Sequence, residues 1–343
     1  MNRLLFLTQN GDCITLHKTM APQRGSNSYS SYRSSAGSMC SQNDAFASNS
    51  SRIDIAFGAL YLLIYIGLFC TTVVRFFTSR KKRTALKRWF LFGVSIIFMI
   101  IEIVISIIME TLYECGIASE RITNRSAISV YWLYNLGRYA LFVIILLPIC
   151  RRLHQQARNA NRLILIAHSI CLALLGLLLI CAVALETKII DGLYGSDRDY
   201  TVYTLMSPER DLHTALYVFE VIAMLMAAAS MIVALLRAPH LRKGTLGPSL
   251  AVLIISCLGL PLTSLAGFVD SAYRAIRTQS DVDYTNRSQE AQTFIANLFY
   301  SCAFLSALLV AGSRQLADDS YKVTPRASMQ GPVYAPQGGH PIR

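Results

Sequence analysis

Seven apolar runs, each long enough to cross a bilayer, leave this chain few folds to choose from. They lie at about 54–77, 89–111, 128–150, 163–185, 212–236, 248–270 and 293–313. A spanning helix needs ~20 predominantly apolar residues, and every run qualifies. The second shows the type: Trp89 to Ile101 is apolar but for Gly93 and Ser95, Glu102 interrupts, and the run resumes at Ile103. Its β-branched content would favour a strand in water. In lipid the backbone must satisfy its own hydrogen bonds, so helix is expected. Composition agrees, because only 15% of residues are charged, whereas soluble domains carry about 25%. The expected fold is an all-α membrane protein, a seven-transmembrane-helix bundle over 53–314.

The flanks read differently. Residues 1–52 include a Ser-rich segment that cannot bury enough apolar surface to offset its ordering entropy, so a disordered tail is expected there. Pro325, Pro332, Pro336 and Pro341 among polar residues mark 315–343 as a second disordered tail. Leu4 to Leu7 is too short for the core of a signal peptide. The first span is therefore expected to target the chain to the membrane, and Met20 stands beside Met1 as a candidate start.

Direction across the membrane follows from loop charge. The first connection holds Arg80, Lys81, Lys82, Arg83, Lys87 and Arg88. The third holds Arg151, Arg152, Arg158 and Arg162, and the fifth Arg237, Arg242 and Lys243, with no acid in any of the three. The connections 112–127, 186–211 and 271–292 mix signs. The positive-inside rule places the basic set in the cytosol. The N-terminus is then outside and the C-terminus cytosolic, in the plasma membrane or the endoplasmic reticulum. The three N-glycosylation sequons, at Asn49, Asn124 and Asn286, all fall on the expected outer side. The net charge of +12 is concentrated in these loops rather than on a soluble basic face, which argues against nucleic acid as a partner. Membrane lipids are the expected partners, with anionic headgroups beside Arg80 to Arg88.

Ionisable groups within the spans carry the chemistry. Each costs ~2.5–3.5 kcal/mol at a helix centre. Glu102, Arg138 and Glu220 lie roughly 20, 18 and 24 Å from the cytosolic ends of their helices at ~1.5 Å per residue. Similar depth predicts that Arg138 pairs with Glu102, and with Glu220 as a further candidate, with Asn135 one turn away. This centre reads either as a structural lock or as the lining of a ligand pocket, ion path or catalytic site. Asn297 and Tyr300 in the seventh span are expected to line the same centre or to meet a neighbouring helix. His168 is expected to be a buried hydrogen-bonding residue, Pro261 to kink the sixth span, and Ala303, Ala307 and Ala311 to form a packing face.

Of nine cysteines, only Cys13, Cys40 and Cys115 lie outside the apolar runs. Cys115 can therefore form an outer disulfide only with Cys13 or Cys40. Cys150, beside Arg151, is a candidate for palmitoylation. No Cys/His metal spacing occurs, and neither a metal nor a cofactor is expected. In the connection 186–211, Asp191-Gly192, Gly195 and the β-prone Tyr200–Thr204 predict a short hairpin over the outer mouth.

Seven spans with an outer N-terminus resemble the G-protein-coupled receptor and rhodopsin plan across 54–313. The motifs depart from it. Span three ends Pro148-Ile-Cys-Arg-Arg152, span six has Cys257-Leu-Gly-Leu-Pro261, and span seven has Asn297-Leu-Phe-Tyr300 and no lysine for a retinal Schiff base. In format the chain looks like the seven-transmembrane membrane proteins of filamentous fungi. Some of those are receptor-like. Others are encoded with secondary-metabolite pathways, including small membrane-bound terpene cyclases. The resemblance implies either a receptor-like protein binding a small lipophilic molecule, or an enzyme using Glu102 or Glu220 as general acid. A transporter or accessory scaffold is the third reading, weakened by the absence of internal repeats.

Overall fold

The computed structural model describes residues 49–78, 83–156, 162–194, 200–238, 246–276 and 282–313, together with Phe46. Most of the Ser-rich tail, the C-terminal tail, Cys13, Cys40, Arg80 to Lys82, Arg158, Arg242 and Lys243 lie outside the described residues.

Each expected span is a helix: α1 (Asn49–Thr78), α2 (Arg83–Glu114), α3 (Glu120–Ile144), α4 (Arg162–Tyr194), α5 (Met206–Arg237), α6 (Leu246–Ile276) and α7 (Val282–Gly312). All seven are long and apolar enough to cross a membrane. α3 does not stop at Ile144. It passes through a π-helical turn, Ile145–Ile149, and ends as α-helix over Cys150–Gln156. Pro148 sits inside that turn. Proline has no N–H to give to the ladder, and a π turn is one way a helix absorbs the loss. Pro261 meets the same problem in α6, which runs on through it.

α4, at 33 residues, is ~50 Å long at ~1.5 Å per residue. That exceeds the ~30 Å hydrocarbon layer, so its ends reach into the polar interface. The expected hairpin over 186–211 is not formed. α4 continues to Tyr194, Tyr200–Leu205 is a 3-10 turn, and α5 follows at once. Helix prevails because each turn of a continuing helix pairs its own backbone groups near the membrane, whereas a lone hairpin leaves its edges open. Gly192 is thus a helical glycine rather than a turn residue. The Val202 side chain occupies the place where a Cβ at this position would lie.

Consecutive helices pack side by side, and α7 returns to α1 to close the ring. α3 is the central element, in contact with α2, α4 and α7, and with α5 through its continuation over Cys150–Gln156. Of its most apolar stretch 61% is buried, against 17% for α1. The outward faces carry Leu63, Leu163, Leu177, Leu236 and Ile255, all well exposed. Such faces suit lipid, which solvates apolar side chains at no cost.

Polar residues bind helix to helix inside the ring. Tyr65 Oη donates to Asn297 Oδ1 at 2.9 Å, and Tyr61 Oη donates to the Phe294 carbonyl at 2.7 Å, joining α1 to α7. Ser95 Oγ donates to the Gly137 carbonyl at 2.8 Å and lies 2.8 Å from Tyr300 Oη, joining α2, α3 and α7. Ala303 and Ala307 are buried on the packing face expected for them. Gly137 permits the close approach of α2, since a Cβ there would fall 2.8 Å from Met99 Sδ and 3.3 Å from the Ser95 carbonyl oxygen.

That contact predicts an asymmetry between two glycines. Gly137→Leu should lower stability by about 1–3 kcal/mol through overpacking. Gly93→Leu, where a Cβ meets nothing within 4 Å, should change it by under ~0.5 kcal/mol. Thermal melts of both variants in the same detergent check this.

Candidate functional site

Arg138 projects from mid-α3 into the bundle, and its Nη2 donates to Glu220 Oε2 of α5 at 2.7 Å. Both side chains are almost wholly buried, with 3% and 5% exposed. The guanidinium also lies over two rings of its own helix, 5.3 Å from the Tyr134 centroid and 5.9 Å from that of Phe142. Its Nε is buried with no hydrogen-bond partner.

The expected pair with Glu102 does not form. Glu102 is buried on α2, and its hydrogen bond is a long one from Ser106 Oγ, at 3.5 Å and one turn away. Its electrostatic neighbours are Tyr65 of α1 and Tyr134 of α3. Equal depth does not ensure contact, because the face of α2 that carries Glu102 is set by how the helix is turned. Asn135 also stays apart from the ion pair. Its Nδ2 donates to the Tyr131 carbonyl of its own helix at 2.9 Å. Asn297 and Tyr300 serve the inter-helix bonds described above.

A second polar layer lies two helical turns towards the sequon-bearing end, and the sequence reading missed it. His213 precedes Glu220 by seven residues on α5, and Tyr131 precedes Arg138 by seven on α3. Both steps amount to roughly 10 Å. His213 Nε2 lies 3.1 Å from Glu209 Oε1, one turn earlier on α5, and 3.4 Å from Glu186 Oε2 of α4. The side chains of His213 and Glu209 are 2% and 5% exposed, and that of Glu186 is 13% exposed. Tyr131 Oη sits 3.3 and 3.4 Å from the two ring nitrogens. A hydroxyl equidistant from both lies off the in-plane axis of each. One ligand atom from each of Glu186, Glu209 and His213 lies within 4.8 Å of the others. Among the described residues these three could hold a metal ion, although no metal site was expected. The only sequence signal was Glu209-x-x-x-His213, an i, i+4 pair on one helix face.

Tyr217 bridges the layers. Its ring is 5.8 Å from His213 and 5.4 Å from Phe268 of α6, and it interacts electrostatically with Arg138 and Glu220. A polar seam thus runs between α3, α4 and α5 through Glu186, Glu209, His213, Tyr131, Tyr217, Arg138 and Glu220. Around it α3 and α4 are clasped by Trp132 Nε1 donating to Thr187 Oγ1 at 3.0 Å and by an Arg125–Asp191 ion pair at 2.8 Å. α2 carries a separate row one turn apart, Glu102, Ser106, Glu110 and Glu114, and the last of these accepts from Ser51 Oγ of α1 at 2.5 Å.

Other expected positions resolve as follows. Asn49 is exposed at the start of α1 and Asn124 is half-buried near the start of α3, while the Asn286 side chain lies outside the described residues. Cys115 is disulfide-bonded and the six cysteines of the spans are free, so its partner lies outside the described residues. Cys150 is 1% exposed and closed to a palmitoylating enzyme. His168 is buried, as expected. Compared with known proteins, the chain matches no family model, no curated protein and no solved structure.

The ion pair predicts a specific pattern of coupling. Arg138→Gln or Glu220→Gln alone should destabilise by about 3–5 kcal/mol, because each strands a buried charge. The double variant should cost less than the sum of the two. The coupling between Arg138→Gln and Glu102→Gln should be much the smaller of the two couplings, since these residues share Tyr134 as a neighbour but form no ion pair or hydrogen bond with each other. Reversible denaturation in mixed micles of detergent and lipid measures both cycles.

Proposed function

We propose that this multi-pass membrane protein is receptor-like and binds a small lipophilic molecule whose polar group enters the seam between α3, α4 and α5. One observation carries the reading: Arg138 Nε, a buried donor beside the ion pair, has no hydrogen-bond partner. An unmet buried donor costs roughly 1–3 kcal/mol. A ligand acceptor reaching it recovers that cost, and Tyr134 and Tyr217 supply aromatic walls. Arg138 would anchor the ligand while Glu220 holds the guanidinium in place. Glu102, outside the seam, has no part in this reading.

The entry side is the sequon-bearing end, which we take as extracellular or lumenal. The basic connections support that direction, and so does the Cys115 disulfide, which belongs to an oxidising compartment. The N-terminus is then outside and the C-terminus cytosolic. The basic loops would meet anionic headgroups.

A second reading, a membrane-embedded enzyme of the kind encoded with secondary-metabolite pathways, rests on Glu102. Among the described residues this buried carboxyl forms no ion pair, unlike Glu220, and a buried carboxyl is the group a general acid requires. The row Ser106, Glu110 and Glu114 leads from it to the sequon-bearing end.

The two readings separate by experiment. Protein purified from its own membranes should carry a co-purifying small molecule, detected by native mass spectrometry. The Arg138→Gln/Glu220→Gln double variant should lose that molecule while still melting cooperatively, and Glu102→Gln should keep it. Retention by the double variant removes the receptor-like reading. A cellular product lost only in Glu102→Gln establishes the enzyme instead.

A further inference from the structure

We infer that Glu186, Glu209 and His213 form a binding site for one divalent transition-metal cation, with zinc the best fit. The donor set is mixed nitrogen and oxygen, two carboxylates and one imidazole, which zinc and its neighbours accept. Zinc takes nitrogen and carboxylate oxygen at ~2.0–2.2 Å, which places tetrahedral ligand atoms about 3.3–3.6 Å apart. His213 Nε2 lies 3.4 Å from Glu186 Oε2 and 3.1 Å from Glu209 Oε1. Both separations from His213 are within a few tenths of an ångström of that spacing, and all three ligand atoms lie within 4.8 Å of one another, so small rotations of the two glutamate side chains would close them on an ion. Glu209 and His213 come from one face of α5 and Glu186 from α4, so two rigid helices present the ligands rather than a loop.

Charge supports a cation here. Both carboxylates face one imidazole nitrogen, and a single N–H cannot align with two acceptors at once. Even a charged His213 leaves one negative charge over when both glutamates are ionised. The nearest strong cation below, Arg138, is taken up by Glu220. Arg210, next to Glu209 in the chain, is exposed and acts on Glu209 from outside the buried cluster, where solvent screens it. Nearly complete burial of Glu209 and His213 raises the cost of that imbalance. A divalent ion bound to neutral His213 cancels both carboxylate charges.

Three protein ligands leave a tetrahedral zinc one open position. Tyr131 Oη, beside the imidazole, is placed to hydrogen-bond whatever occupies it. The site lies near the sequon-bearing end, and Glu186, the most exposed of the three, gives an ion its entry. None of this depends on the ligand-binding reading of the ion pair, and the test needs no organic ligand.

The experiment uses full-length protein purified in detergent without chelator. Inductively coupled plasma mass spectrometry should find about one zinc per chain after gel filtration, since a site of this kind holds its ion against dilution. Chelator-stripped protein titrated with cobalt chloride should develop visible d–d absorption that saturates near ~1 equivalent and disappears when zinc is added. Glu186→Gln should weaken cobalt binding by about tenfold or more, and His213→Gln should abolish the absorption. Glu102→Gln, on a different helix, should titrate like the wild type. His213→Gln keeps the size and hydrogen bonding of the site, and Glu186→Gln alters a partly exposed position, so at least one should fold. Wild-type protein that holds no zinc and gives no cobalt absorption overturns the inference. So does cobalt binding of equal strength in Glu186→Gln and His213→Gln.

Discussion

A guanidinium buried at mid-depth in a lipid-spanning helix has to find a counter-charge inside the protein, and much of this bundle is arranged around that requirement. Arg138 finds it in Glu220, so α3 and α5 must meet at one height and with one rotation. α3 is accordingly the element most enclosed by the others. Its small and polar positions serve that place: Gly137 lets α2 approach, and the carbonyl of Gly137 accepts from Ser95. Removing water leaves each polar group only protein partners, so a misplaced one has no cheap alternative.

The same scarcity explains the layering. Apolar helix–helix contacts gain little in lipid, because the tails are as apolar as leucine. Specific hydrogen bonds therefore help to fix the order and rotation of the helices: Tyr65 to Asn297 and Tyr61 to the Phe294 carbonyl between α1 and α7, Trp132 to Thr187 between α3 and α4. What these bonds leave over is informative. The buried Nε of Arg138 bonds to no helix, and His213, which one carboxylate would satisfy, is crowded by two. Function is better looked for there than in Asn297 or Tyr300, whose hydrogen bonds already join the helices.

Some of the candidate site was legible in the chain. Arg138 and Glu220 were marked by their cost in an apolar run, and burial of both follows from that cost. Their pairing was only one option, because depth is readable from position along a helix while rotation is not. Glu102 shows the limit: it sits at nearly the same depth as Arg138 but on a face of α2 that turns it towards Tyr65 and Ser106. The layer at Glu186, Glu209 and His213 was less visible still. The span boundaries drawn from hydropathy ended at 185 and began again at 212, which put both glutamates in a supposed loop. Continuation of α4 to Tyr194 and the start of α5 at Met206 put them on facing helices instead.

By itself the sequence determined the number of spanning helices, the apolar core of each and the charge asymmetry between the two ends of the bundle. Each of these depends on local hydropathy and on the rule that a backbone in lipid must bond to itself. Only the tertiary structure decided which acid answers Arg138, what covers Gly192, and that three ligating side chains converge on one point. Those outcomes depend on the rotation and packing of helices far apart in the chain, and no single segment encodes them.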